Sequence, residues 1–252
     1  MSGPLAPTRG TAAPPTLVVL AKAPVPGAVK TRLTPPLSPA RAADLAAAAL
    51  LDTLDAVARA ARALGGPRPV LALAGDPRDA VRAAALRRSR WSFTVVRQRG
   101  TGLDERIAAA HRDASALHPA HGTLQVGMDT PQVTAERLVC AAGRLASPGV
   151  DAVLGLAEDG GWWALGLRDP RTGDAVRGVP MSREDTGALT RASLTAWGAV
   201  PVLLPTARDV DTWDDARAVA AAHPSGRFGA TVRELAAPVT QARPHTRTGV
   251  LS

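Results

Sequence analysis

The chain has 252 residues, 46% of them hydrophobic, enough to bury the core of one α/β domain but not of two full ones. Its Ala-rich apolar stretches, such as 42–51, break off within about ten residues, so none reaches the ~20 that a membrane-spanning helix needs. A net charge of +8 invites a nucleic-acid partner, yet the arginines are scattered, and two phenylalanines with no tyrosine leave little to stack on bases, so nucleic acid is not expected.

The opening MSGPLAPTRGTAAPP lacks the apolar segment of an export signal, and a single cysteine, Cys140, excludes an intramolecular disulfide framework; the expected location is the cytoplasm. Residues 1–15 and 237–252 are rich in Pro, Ala, Gly and Thr without periodicity, and are expected to be disordered tails around a single folded unit over 16–236. TLVVLA (16–21) reads as a strand entering a Pro/Gly loop. A long Ala/Leu helix follows, with Ser38 as its N-cap and Pro39 in its first turn.

The alternation continues with strands at 69–75, 93–98, 123–129 and 151–157, and with helices near 77–88, 103–116 and 134–146. It predicts a mainly parallel sheet covered by helices on both faces. Beyond Asp159 the order is less regular: 160–167 reads as a strand, 181–198 as a helix, 199–205 as a strand and 213–222 as a closing helix. In open sheets of this type ligands sit beyond the carboxyl ends of the strands, so the loops that follow strands are the places to look for chemistry.

Four such loops stand out. In AKAPVPGAVKTRL (21–33), Lys22, Lys30 and Arg32 follow the first strand, with Pro26 and Gly27 shaping a stiff turn between them; of the 30 basic residues in the chain only these two are lysines. A compact ammonium on a flexible stem suits a phosphate, although neither GxxxxGK[ST] nor GxGxxG is present, and a basic surface loop is the alternative. In VGMDTPQ (126–132), Asp129 ends a strand where a carboxylate could hold Mg²⁺ or Mn²⁺, or merely cap a turn. In LAEDGGWWALGL (156–167), Asp159 precedes Gly160 and Gly161, which let backbone approach a ligand, and Trp162 and Trp163, which read as acceptor surface or as core. In ARDVDTWDDA (207–216), Asp209 and Asp211 precede a helix that Asp211 or Thr212 could cap; capping accounts for one acid and leaves the other as a credible second metal ligand.

Taken in order, these segments resemble a bacterial family of candidate glycosyltransferases with the GT-A, or nucleotide-diphospho-sugar transferase, fold, over roughly 16–222. The family pattern AKxPxPGxVKTRL stands here as AKAPVPGAVKTRL, its helix ending in DTL as LLDTLDAV (50–57), and its QxxGDLGERM-like segment as QRGTGLDERI. Its GTDCP-like strand end stands as GMDTP, its DGGYxLIGL-like segment as DGGWWALGL, and its DxDTPxDL-like element as DVDTWDDA. Met128, Thr130, Trp163 and Trp213 depart from the family pattern.

The resemblance implies a Rossmann-like three-layer α/β/α fold of GT-A type. It implies a metal-dependent transferase in which Asp129 and Asp211 hold Mg²⁺ or Mn²⁺, while Lys22, Lys30 and Arg32, on the loop shaped by Pro26 and Gly27, bind the phosphates of a nucleotide. Asp159 and Asp129 are then the catalytic acids, and Gly160, Gly161 and Trp162 the surface that meets a small-molecule acceptor. The expected donor is a nucleotide sugar, making the protein a glycosyltransferase. Guanylyl- and cytidylyltransferases share the fold, so the alternative is a nucleotidyltransferase joining a nucleoside triphosphate to a phosphorylated small molecule. A non-catalytic nucleotide-binding protein is a third reading.

Overall fold

The structure, a computed structural model, describes residues 13–237; the tails expected to be disordered lie outside the described residues apart from 13–15 and 237. β1 (Thr16–Lys22), β2 (Val70–Ala74), β3 (Thr94–Arg97), β4 (Thr123–Val126), β5 (Ala152–Ala157), β6 (Trp162–Leu167) and β7 (Pro201–Ala207) form one sheet in the order β3-β2-β1-β4-β6-β5-β7. The pairs β1–β2, β2–β3, β1–β4 and β5–β7 are parallel, whereas β6 runs antiparallel to both β4 and β5. The carboxyl ends of β1, β4, β5 and β7 therefore share one edge of the sheet, and the loops that follow them converge there.

Alternate residues of β1 face opposite layers, as a pleated strand requires. Leu17 and Val19 pack with α1 (Pro39–Leu64) and α4 (Ala135–Ala146) on one face, while Val18 packs with Ala110 and Ala114 of α3 (Leu103–Leu117) on the other. α5 (Thr186–Ala196) shares that second face through Leu194, which meets Leu154 of β5 and Leu165 of β6. Helix α1 begins as the sequence predicts: the Ser38 hydroxyl accepts from the Arg41 amide at 3.3 Å, and Pro39 occupies the first turn. It ends at Gly65, whose φ of 60° is the left-handed conformation that closes helices. Its alanines leave little bulk, so the sheet lies against one side while Leu45 and Ala49 on the other meet α6 (Trp213–Ala222) and α7 (Gly226–Ala236).

Several boundaries differ from the sequence reading. α2 spans only Ala83–Ser89, because Arg82 sits in the left-handed region at φ 58° and the chain turns through 76–82 before the helix starts. α5 begins at Thr186 rather than near 181 because Ser182, at φ 59°, breaks the approach. α7 is a helix that the apolar pattern did not announce. The Asp52 carboxylate seats its first turn, accepting from the Arg227 amide at 3.1 Å and the Phe228 amide at 2.8 Å. The DTL segment of α1 thus anchors a helix 175 residues further along the chain.

Candidate functional site

β1 delivers Lys22 at its end, and the loop then folds back on itself. The Lys22 ammonium donates to the Ala28 carbonyl at 2.8 Å, and Gly27, at φ 76°, makes the turn between them; Pro26 and Gly27 are exposed at its tip. Lys22 therefore braces the loop rather than joining the acids across the edge. Lys30 and Arg32 lie at the far end of the same loop, where Lys30, at φ 49°, begins a short 3-10 turn over Thr31–Leu33.

Lys30 reaches the centre of the edge. Its ammonium lies 2.6 Å from Asp129 Oδ1 and 3.0 Å from Asp211 Oδ1, and its side chain is 11% exposed. Arg32 meets the other oxygen of Asp211 at 3.1 Å and stays exposed. Burial works to strip the proton from Lys30, but the Asp129 and Asp211 carboxylates outweigh it and hold the group above the ordinary lysine value. The two acids are also fixed through the backbone, since the Val210 amide donates to the Asp129 carbonyl at 3.0 Å.

The structure shows which residues cap the helices that follow both acids. Thr212 caps α6 in a reciprocal pair with Asp215, and Thr134 caps α4, so neither Asp211 nor Asp129 serves as a helix cap. It also brings in a residue outside the expected site set. Asp209 points one carboxylate oxygen, Oδ1, into a buried position without a hydrogen-bond partner among the described residues. Burial first, then the charges of Asp159, Asp211 and Asp129, push its carboxyl up to about 7, with Lys30 pulling the other way. The spacing DVD was the available signal, and it could not say which acid would be buried.

Asp159 stands on the tight turn between β5 and β6. Its Oδ1 accepts from the Gly161 amide at 2.8 Å, and the carboxylate is exposed. The glycines are required here: Gly160 has φ 89°, and a Cβ on it would fall 1.8 Å from the Glu184 carbonyl oxygen. The Gly187 amide closes the contact by donating to the Gly160 carbonyl at 2.7 Å, so the turn is clamped to the start of α5. The tryptophans divide. Trp162 is half-buried beside Asp159, whereas Trp163 is core, 2% exposed, with its indole N–H on the Pro205 carbonyl at 3.1 Å and the Arg137 guanidinium over its ring.

Four carboxylates, Asp129, Asp159, Asp209 and Asp211, thus face two cations, Lys30 and Arg32. Among the described residues no three His, Cys, Asp or Glu side chains stand close enough together to hold a metal ion, and the Lys30 ammonium lies between Asp129 and Asp211. Gln98, from the loop after β3, adds a polar tie by donating to the Ala21 carbonyl of β1 at 2.8 Å and to the Ala72 carbonyl of β2 at 3.0 Å. No helix of the described residues is long and apolar enough to cross a membrane.

A family model described as uncharacterized protein conserved in bacteria (DUF2064) matches residues 53–183. Among solved structures, the fold is similar to that of a candidate nucleotide-diphospho-sugar transferase from Desulfovibrio desulfuricans G20. That pair shares 24% identity at a TM-score of 0.70, over 87% of this chain and 94% of that one. It is also similar to a cytidylyltransferase from Leptospira borgpetersenii serovar Hardjo-bovis (strain JB197), with 11% identity and a TM-score of 0.52 over 88% of this chain and 94% of that one. No curated protein matches the chain. At these identities the likeness establishes the fold, that of the nucleotide-sugar transferases.

Proposed function

The chain belongs to the DUF2064 family, and from that premise we propose that it is a metal-dependent glycosyltransferase that draws on a nucleotide sugar. The observation that carries the reading is the excess of carboxylates at the sheet's carboxyl edge, set directly against the basic loop after β1. The residues present suit a divalent cation held by two carboxylates and completed by donor phosphates and water: the oxygens are hard, the acids outnumber the cations, and a buried oxygen of Asp209 is without a partner among the described residues. Asp129 and Asp211 would hold Mg²⁺ or Mn²⁺ there, where its charge would neutralise the diphosphate of the donor.

The chain's own side chains supply the rest. Lys30 and Arg32 bind phosphate oxygens and stabilise the charge that gathers on the departing nucleoside diphosphate, and Lys22 holds the loop that presents them. Asp159, on a turn that α5 holds in place, orients the acceptor hydroxyl and takes its proton; Gly160, Gly161 and the half-buried Trp162 form the surface on which the acceptor rests. The likeness to the Desulfovibrio structure supports this reading over most of both chains.

The Leptospira cytidylyltransferase has a similar fold, and the same edge would serve nucleotidyl transfer from a triphosphate. Calorimetry with a panel of nucleotide sugars and nucleoside triphosphates, each with and without Mn²⁺, separates the two. Metal-dependent binding of one nucleotide sugar, lost in Asp129→Ala, is the expected result. Preference for a bare triphosphate replaces the reading with nucleotidyl transfer, and binding that ignores both the metal and Asp129 leaves a nucleotide-binding protein without this chemistry.

A further inference from the structure

Lys30 stands where the acids would need another cation. Its ammonium takes one oxygen from Asp129 and one from Asp211, at 2.6 and 3.0 Å, and these are the carboxylates assigned above to a divalent ion. Mg²⁺ approaches carboxylate oxygens to ~2.0–2.1 Å. A cation on the same oxygens would therefore sit only a few ångströms from Nζ, and the two positive centres would repel with little solvent between them. Ammonium and metal compete for the pair.

The loop allows Lys30 to yield. Its backbone is held locally by the Leu33 amide, which donates to the Lys30 carbonyl at 3.0 Å, and no side chain caps the 3-10 turn that it begins. The two carboxylates are what hold the ammonium, while Pro26, Gly27 and Ala28 earlier in the loop are exposed and Val29 anchors its base in the core. Arg32 can remain on Asp211, because it uses the oxygen that Lys30 does not.

We propose that Lys30 is an exchange residue: in the free protein it is the counter-ion of Asp129 and Asp211, and when those acids bind a divalent cation its ammonium passes to the phosphates of the donor. The phosphate half of this exchange rests on the nucleotide-sugar reading; the counter-ion half does not. Exchange makes metal and donor bind cooperatively. The metal frees an ammonium for the phosphates, the phosphates accept the ammonium that the metal displaces, and the linkage is reciprocal.

The test begins with Mn²⁺ alone, titrated by calorimetry and by the loss of the free-ion electron paramagnetic resonance signal into the wild type, Lys30→Met, Lys30→Gln and Lys30→Arg, each checked for wild-type circular dichroism. Met and Gln should bind Mn²⁺ at least tenfold more tightly than the wild type, and Arg, which keeps the charge, should stay within about threefold of it. Two neutral variants guard against one that misfolds. Unchanged or weaker Mn²⁺ binding in the neutral variants, or equal tightening in Lys30→Arg, overturns the proposal. A panel of nucleoside diphosphates then reads the second half: after allowance for the Mn²⁺ each complexes in solution, one of them should raise Mn²⁺ affinity in the wild type and lose most of that effect in Lys30→Met. Tight Mn²⁺ binding in the neutral variants with no nucleotide bound by any form would sink the transferase reading and keep the counter-ion. Metal-dependent nucleotide binding with no change in the neutral variants would do the reverse.

Discussion

Two of the charge clusters among the described residues are built on opposite plans. Behind the sheet, Arg82 of the turn before α2 grips both oxygens of Asp44 at 2.6 and 2.7 Å and reaches Thr231 of α7 at 2.9 Å, while Arg227 joins Asp52 and Asp55. Both oxygens of Asp44 and of Asp52 have donors. At the carboxyl edge four acids face Lys30 and Arg32, and the Asp209 oxygen is left without a partner among the described residues. The first cluster ties α1, α2 and α7 together, and its charges are satisfied. The second holds an imbalance of acids over cations, and that imbalance is the ground for the ligand site proposed there.

The sharpest way to break this contrast is to delete one charge from each. Asp211→Ala should reduce metal-dependent nucleotide binding or turnover ~10²-fold while leaving the thermal midpoint close to the wild type. Arg82→Ala should do the opposite, costing about 2–3 kcal/mol in a urea titration by stranding the half-buried Asp44, with nucleotide binding unchanged. Equal losses of stability in both would show that the edge, too, is a strut.

His111 supplies a control that belongs to neither cluster. His111 of α3 is fully buried with Nδ1 on the Thr123 hydroxyl at 2.7 Å, and burial pushes it down to about 3. The folded value lies below the unfolded one of about 6.5, so protons favour the unfolded chain and stability falls as pH drops from 6.5 towards 3. Between pH 7 and pH 5 the His111 share of the change should be a loss of about 2 kcal/mol, read as the difference between wild type and His111→Gln when urea midpoints are compared at both pH values.

The smallest effect is a change of sign. Asp209→Asn should stabilise the protein by about 1 kcal/mol at pH 8, after discounting for solvent screening, whereas Asp44→Asn should destabilise it. The Asp209 carboxyl titrates near 7 in the folded state, above its unfolded value, so the ionised form is the costly one; the gain should shrink below pH 7 and be absent by about pH 4. Matching signs for the two variants would erase the distinction between the clusters.

Much of the frame was readable because its signals are local. Ser38 and Pro39 start α1, the strands end in short loops, and the acids stand at those ends, all from patterns a few residues wide. β6 reads as a strand from GGWWALGL, but its antiparallel direction depends on which neighbours accept it, which no period reveals. α7 escaped notice because its short apolar stripe is completed by α1, and its anchor, Asp52, lies far upstream. The site divides in the same way. Asp129, Asp159 and Asp211 were visible as strand-end acids, whereas the burial of Asp209 and the partners of Lys30 are set by packing between distant segments.

That distance has a consequence for how the protein comes into being. Lys30 and Asp211 are 181 residues apart, so a chain leaving the ribosome at ~5–20 residues per second carries Lys30 for roughly 10–40 s before Asp211 emerges. Over that interval β1 to β4 can pair and α1 can cover them, while the carboxyl edge still lacks half of its acids. The site is among the last parts of the molecule to exist, and any nascent chain arrested before β7 would carry the basic loop with Asp129 alone of the two carboxylates that restrain Lys30, and with none on Arg32.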